Sequence, residues 1–351
     1  MDFAAILDQA RDAWTRVEAF VLATPELGGV GLAVAMILAG GAIVFLGRAL
    51  FEALRTASRA AKAASIRRTT DFGARVLVIK GGSRRRRMID KFLRTTVDRH
   101  LADYMFGGPF RVISYPGPLS TDAQAFMLLK KTEADLVLWS DVPRGTRGVV
   151  RIASRPGNPF EKQRPVMTLS MPRDRLAWNE PLARALAYAA AKQFRPALGR
   201  PQDFRSERLQ PVVERLINIL DQNPKADPRL LAEMVDDVSA GALQLAFAGD
   251  DGWLDRSVEL ARATLAEINR SEATDRWIAS KITLGRALRL RAERRFDPVM
   301  LREAISHLTD ALDALRTEPR FKLAESAAQA ITEAQKLLGA RRKFSISGGG
   351  I

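Results

Sequence analysis

Twenty consecutive residues near the start of the chain, Gly28 to Gly47 (GGVGLAVAMILAGGAIVFLG), carry no charge and no polar side chain. At about 1.5 Å per residue such a run measures roughly 30 Å as a helix, the thickness of bilayer hydrocarbon. A buried helix of this length normally keeps a polar stripe, so the run reads as a single transmembrane helix. The flanking charges orient it. Residues 1–27 hold two arginines against five carboxylates, net −3, whereas residues 48–94 hold fourteen cations against three carboxylates, net +11 of the chain's +15. The positive-inside rule then expects the N-terminus outside and the C-terminal body in the cytosol, in a bacterial inner membrane. A cleaved signal peptide fits poorly, because the start is acidic and no small-residue cleavage site stands clearly after the run.

Two features near this segment bear on self-association. Phe3, Leu7, Ala10, Trp14, Val17 and Val21 follow a 4-3-4-3-4 spacing, which suits either a short coiled-coil seam or an amphipathic helix resting on the membrane face. Gly31, Ala35 and Ala39 form a small-xxx-small stripe that would allow close helix–helix packing, and so a homo-oligomer.

Composition narrows the chemistry. There is no cysteine, and the only histidines are His100 and His307. Thiolate zinc sites, Cys nucleophiles and His-rich metal centres are excluded or nearly so, and neither a metal nor a cofactor is expected. No base-and-nucleophile pair stands out, which argues against an enzyme.

After a basic helical connector (48–71), short apolar runs alternate with amphipathic stretches. Residues 74–79, 110–114, 135–139, 149–153 and 166–169 read as strands; 86–105 and 123–131 read as helices. This alternation predicts a small α/β domain over 72–178 with a parallel or mixed sheet. The order of strand, long helix, FRVISYP, helix and EADLVLWSDV resembles the N-terminal α/β domain of TolB-type proteins and of bacterial adenylate-cyclase-like repeat proteins. The echo is carried by Ala134, Asp135, Leu136, Val137, Gly145, Gly148, Val149 and Ile152. The resemblance implies an interaction domain rather than an enzyme.

Within this domain the turn Gly81-Gly82-Ser83 runs into Arg84, Arg85, Arg86 and Arg87. Glycine turns at helix N-termini can cradle phosphate, and arginines add charge. Neither nucleotide fingerprint is present, however, and four cations there oppose the helix dipole. Three readings stay open: a solvated basic turn, contact with anionic lipid through Arg84–Arg87 together with Arg67 and Arg68, or a nucleotide- or anion-sensing site formed by Gly82–Arg87. A membrane-tethered nucleic-acid binder would also use the positive charge. The absence of aromatics within Arg84–Arg87 argues against it.

From 179 to 340 helical periodicity takes over, and residues 341–351 read as a disordered tail. Ala242-Leu243 and Leu254, Val258, Ala261, Leu265 overlay on Ala287-Leu288 and Leu301, Ile305, Leu308, Leu312 at offsets of 45 to 47 residues, a helix-hairpin repeat. Leu284-Gly285-x-x-Leu288 and Ala304-x3-Leu308-x2-Ala311 resemble the tetratricopeptide repeat. That resemblance implies a concave face lined by the first helix of each hairpin, here by Ala279, Ile282, Arg286, Arg289 and Leu290. Arg286 and Arg289 would grip an acidic segment of a protein partner, with Ile282 and Leu290 supplying apolar contact. The expected function is a membrane-anchored cytosolic scaffold or adaptor binding proteins through these repeats.

Overall fold

The computed structural model describes residues 11–12, 15–16, 18–19, 28–68, 73–105, 108–142, 147–157, 163–195, 198, 201, 204–271, 273–316 and 321–347. It forms two units, residues 1–69 and 70–351.

The described part of the first unit is dominated by one helix, α1 (Gly28–Arg68). The membrane-span reading is corrected here, and with it the single-pass topology, the outside placement of the N-terminus and the inner-membrane location. Among the described residues no helix is long and apolar enough to cross a membrane. The helix does not end where the apolar run ends. It continues past Gly47 for about six further turns that carry Arg48, Glu52, Arg55, Arg59, Lys62, Arg67 and Arg68. An uncharged stretch of sequence reports a preference for apolar surroundings and cannot say what supplies them. Ile37, Val44, Phe45, Phe51 and Leu54 are exposed along this helix. The surroundings of Gly31 and the side chains of Ala35 and Ala39 lie outside what the structure describes, as do all six residues of the 4-3-4 seam.

The second unit opens with a five-stranded mixed sheet. Its strands are β1 (Ala74–Lys80), β2 (Phe110–Pro116), β3 (Leu136–Asp141), β4 (Val149–Ser154) and β5 (Met167–Ser170), in the order β2-β1-β3-β4-β5. β1 pairs in parallel with both β2 and β3, and β4 and β5 then add antiparallel. The two parallel crossovers are α2 (Arg84–His100) and α3 (Asp122–Thr132). Parallel neighbours need such crossovers, whereas β3 to β4 needs only a turn.

Period-two alternation divides the buried strand residues between two faces. Val76, Val78, Leu136, Leu138, Val150 and Ile152 join one core with Ile89, Leu93 and Val97 of α2. Leu77, Ile79, Val137 and Trp139 are equally buried and alternate to the other side, the side whose strands β3 and β4 meet α3. Asp135 fastens the sheet's entry: its Oδ2 accepts from the Arg75 N–H at 2.9 Å and its Oδ1 from Arg155 at 2.8 Å. Gly145 lies outside the described residues.

Among the described residues the chain then continues through the helices α4 (Glu180–Phe194), α5 (Ser206–Asp221), α6 (Pro228–Phe247), α7 (Asp251–Glu267), α8 (Thr274–Arg294), α9 (Pro298–Leu315) and α10 (Phe321–Ser347). Their starts are chemically marked. Asn179, Asp227, Asp250 and Asp297 each cap a helix through a side-chain oxygen, and prolines occupy the first turn of α4, α6 and α9, where the missing N–H costs nothing. Asp227 also accepts from the Ser170 N–H at 2.8 Å, tying β5 to the start of α6.

The boundary between sheet and helices is not a boundary in packing. The core that begins on β1, β3 and β4 runs through Leu182, Leu186 and Tyr188 of α4 to Leu209, Val213 and Leu216 of α5 and Met234 and Val238 of α6. Beyond it, α6 to α10 pack as successive antiparallel hairpins, with α6 touching α8 and α8 touching α10. Gly285 makes one of these contacts possible: a Cβ there would lie 2.6 Å from Leu308 Cγ and 3.0 Å from the Ala304 carbonyl oxygen. A mostly helical second half of hairpin pairs behind a small mixed sheet is therefore the architecture.

Candidate functional site

Four polar sites stand out, and their chemistry differs. The first is the Gly81–Arg87 turn. It lies at the carboxyl ends of β1 and β3, the position where open α/β sheets most often bind ligands. Here the protein's own groups occupy it. The Gly81 N–H donates to Asp90 Oδ2 at 2.6 Å, Ser140 Oγ donates to Asp90 Oδ1 at 2.6 Å, and Ser83 Oγ caps α2 by accepting from the Arg86 N–H at 3.3 Å. Arg86 is bound to Asp141. Burial pushes the Asp90 carboxyl above its ordinary value, with Ser140, Gly81 and Arg86 pulling against that shift. The phosphate cradle suggested by Gly82–Arg87 is thus closed at its centre. Arg84, Arg85 and Arg87 remain exposed and have no carboxylate partner among the described residues. Arg67 and Arg68 end α1 in the other unit.

The second site joins α4 to α6. Tyr188 Oη and Lys192 Nζ both donate to Asp237 Oδ2 at 2.6 Å, and Lys192 reaches Glu233 at 3.4 Å. Burial works against the charge on Lys192, yet Asp237 and Glu233 outweigh it and hold the ammonium above its usual value. Burial and the adjacent Asp237 push the Tyr188 hydroxyl well above a normal phenol. Tyr188 is fully buried, and such a phenol has no route to a substrate. This is a fastening. Next to it, Arg276 grips Asp236 through Nε and Nη2 at 2.6 and 2.9 Å, joining α8 to α6.

The third site spans the three helices α6, α8 and α10. Arg286 and Arg289 of α8 lie over the ring of Phe247, the last residue of α6, at 5.1 and 5.9 Å. Arg289 is buried and bound by Glu293 at 3.1 Å and by Glu333 of α10 at 3.0 Å. Its Nε has no acceptor among the described residues. Arg286 is half-buried and has no carboxylate within ion-pair distance among those residues. Burial first, and the neighbouring Arg289 second, lower its affinity for its own charge, with Glu333 opposing. Ile282 and Leu290, expected to offer apolar contact to a partner, are instead buried in the packing between hairpins. An inner helix of a hairpin stack is covered by its own partner helix and by both neighbours, so only a narrow strip stays open. Ala279 and Arg286 lie on that strip.

The fourth is a cleft on the opposite flank of α2 from β2, between that helix and the segment after β5, lined by Arg84, Arg85, Arg173 and Arg175.

The histidines are not part of any of these. His100 is buried and faces Glu180 at 3.4 Å rather than Asp98. His307 Nδ1 meets Lys281 Nζ at 3.0 Å, and burial together with that lysine lowers its proton affinity. Among the described residues no group of three or more His, Asp or Glu side chains could hold a metal ion. Sequence reasoning found the arginines of α2 and α8 from clustering and repeat position. It missed Phe247, Glu333 and the Asp237 knot, in which Tyr188 and Lys192 of one helix meet Glu233 and Asp237 more than forty residues further on, a pairing no local pattern reveals. No protein-family model matches the chain, and no match is found among curated proteins or solved structures.

Proposed function

We propose that this protein is an adaptor whose helical hairpins receive an acidic segment of a partner protein at Arg286. One observation carries the reading: Arg286 stands on the ring of Phe247 at 5.1 Å, charged, partly desolvated and without a carboxylate partner among the described residues. Next to it Arg289 is buried, its Nε shielded from solvent and without an acceptor among the described residues, so it serves as a fixed neighbouring charge. A carboxylate arriving at Arg286 would supply the partner it lacks, and guanidinium–carboxylate pairs in such partly dry surroundings are among the stronger polar contacts. Arg289 serves as the fixed member, already held by Glu293 and Glu333, while Arg286 is the member left for a guest.

The finer assignment to tetratricopeptide-type repeats belongs to the same reading. It draws support from the Gly285 approach to Ala304 and Leu308, the buried Ala311, and the way the first helices α6, α8 and α10 contact one another. The test uses two sets of unstructured peptides with the same apolar residues, one rich in Asp and Glu and one with Asn and Gln in their place. The parent chain should bind the acidic set, and Arg286→Gln should weaken that binding at least tenfold. Equal binding of both sets, or acidic peptides bound equally by the variant, would overturn the proposal.

A further inference from the structure

Arg84 and Arg85, in the first turn of α2, line the flank of that helix that faces the segment after β5. Across from them, the chain leaving β5 runs through Pro172, Arg173, Asp174 and Arg175 to Trp178. It is drawn into a closed loop by the Trp178 Nε1–H, which donates to the Pro172 carbonyl at 3.1 Å. Between the two lies a cleft of about 300 Å³ lined by these four arginines together with Met88 and Trp178. The Trp178 ring is held in place from behind by Phe92, with ring centres 5.6 Å apart.

The charges here are not compensated. Arg84, Arg85 and Arg173 have no carboxylate partner among the described residues, and the Arg175 guanidinium rests against the Met88 sulfur. The one carboxylate of the loop, Asp174, has its Oδ1 committed to the Leu176 N–H at 2.9 Å. Asp141 and Asp90, the acids at the head of α2, are taken by Arg86 and by Ser140 with Gly81. A cleft lined by charges of one sign focuses its field on whatever ion enters. Its size is at the small end for ligand sites, too small for a large cofactor and ample for a phosphate group with a short body.

We propose that this cleft is a binding site for a phosphomonoester or pyrophosphate group. Its oxygens would be shared between the α2 arginines and those of the Pro172–Trp178 loop, with an apolar portion lying against Met88 and Trp178. Guanidinium pairs approaching from two sides suit a group with three or more anionic or acceptor oxygens better than they suit a single carboxylate. The site is independent of the Arg286 strip. The same phosphate chemistry is carried by free small molecules and by the headgroup of phosphatidic acid, so the test has an arm for each.

Inorganic pyrophosphate is titrated into the full chain, with intrinsic fluorescence and titration calorimetry as readouts, alongside Arg84→Gln/Arg173→Gln and a control, Arg302→Gln, which removes an exposed arginine on α9. Sedimentation with phosphatidylcholine vesicles, with and without phosphatidic acid, forms the second arm. Saturable binding of pyrophosphate or of phosphatidic acid vesicles, weakened at least tenfold by the double variant and unchanged by the control, is the expected result. Pyrophosphate binding alone indicates a free ligand, and vesicle binding alone indicates a headgroup. Because both replaced arginines are exposed, an unchanged thermal melt of the double variant shows that it is folded. A Trp178→Phe chain should retain calorimetric binding within a few-fold while losing the fluorescence change. No binding in either arm, or equal weakening by Arg302→Gln, would overturn the proposal.

Discussion

At the head of α2 a buried carboxylate, Asp90, is met by a backbone N–H and a serine hydroxyl. Between α4 and α6 another, Asp237, is met by a lysine and a phenol. Both stitch distant segments together, Asp90 joining β1 and β3 through α2, Asp237 joining two helices. The first is held by dipoles, so its charge stays poorly compensated and its stability contribution depends on pH. The second is held by an opposite charge as well as a phenol; burial still pushes its carboxyl above the ordinary value against the pull of Lys192 and Tyr188, but only here does one ammonium supply the compensating charge. One comparison thus separates two ways of placing a carboxylate inside a protein, and the mutations below act on one side of it at a time.

The largest effect is expected at Lys192→Ala. It leaves Asp237 with the Tyr188 hydroxyl as donor but with no compensating ammonium, and Glu233 adds repulsion. Stranding one member of a largely buried pair costs about 3 kcal/mol, the low end of the usual range because the lysine keeps some exposure. Urea unfolding of the parent and variant measures it. A loss under about 1 kcal/mol would mean that water replaces the lysine at no great penalty and that the knot is peripheral.

Next comes Gly285→Val, which tests fastening by close approach instead of charge. Its added Cβ meets Leu308 Cγ and the Ala304 carbonyl, and that carbonyl is backbone and cannot swing aside. Overpacking of this kind costs about 1–3 kcal/mol. The effect should appear in the unfolding midpoint without weakening of the phosphate site at α2. A neutral substitution would show that α8 and α9 can slide apart.

What could be read from sequence, and what could not, follows the same division. The five strands and helices α2 and α3 appear at or near the positions expected from period-two and 3.6-residue patterns, because those patterns record which face is apolar; α10, by contrast, runs on to Ser347, into the stretch read as a disordered tail. Gly285 entered only through the Leu284-Gly285-x-x-Leu288 resemblance, and nothing local said that Leu308 and Ala304 lie against it. Ile282 and Leu290 were misplaced as open contacts because periodicity marks a face as apolar and cannot say whether the same chain or another covers it. The run Gly28–Gly47 went wrong for the same reason. Asp90 looked like one more charge on α2, and nothing local revealed that Gly81 and Ser140, nine and fifty residues away, close on it.

A smaller effect, read as a slope, isolates the contribution of the Asp90 carboxylate. Burial raises the folded-state value for Asp90 above 3.8. Between the unfolded value and that raised value the native state holds more protons than the unfolded chain, so stability falls as pH rises through the window. Below 3.8 the penalty is absent, and above the folded value it is fully present. Asp90→Asn cannot titrate. The parent's advantage over this variant should therefore be greatest at the acid end and shrink as pH rises, with urea melts at several pH values as the measurement. A difference constant in pH would mean that the dipoles of Gly81 and Ser140, with Arg86 nearby, compensate the charge as well as water does.

The smallest effect on stability is expected at Arg286→Gln, and its smallness is informative. Stacking of its guanidinium on Phe247 contributes about 0.5–1 kcal/mol, and its removal also relieves repulsion from Arg289, so the net change should stay within about 1 kcal/mol of the parent. Arg289→Gln has the opposite character. It leaves Glu293 and Glu333 facing each other without the cation both bind, and it should destabilise more than its neighbour does. The pair of variants measured by urea unfolding therefore distinguishes the guanidinium that holds the hairpins together from the one held in reserve. If Arg286→Gln proved the more costly of the two, Arg286 would be part of the scaffold. The open position for an acidic guest would then have to be sought elsewhere along α8.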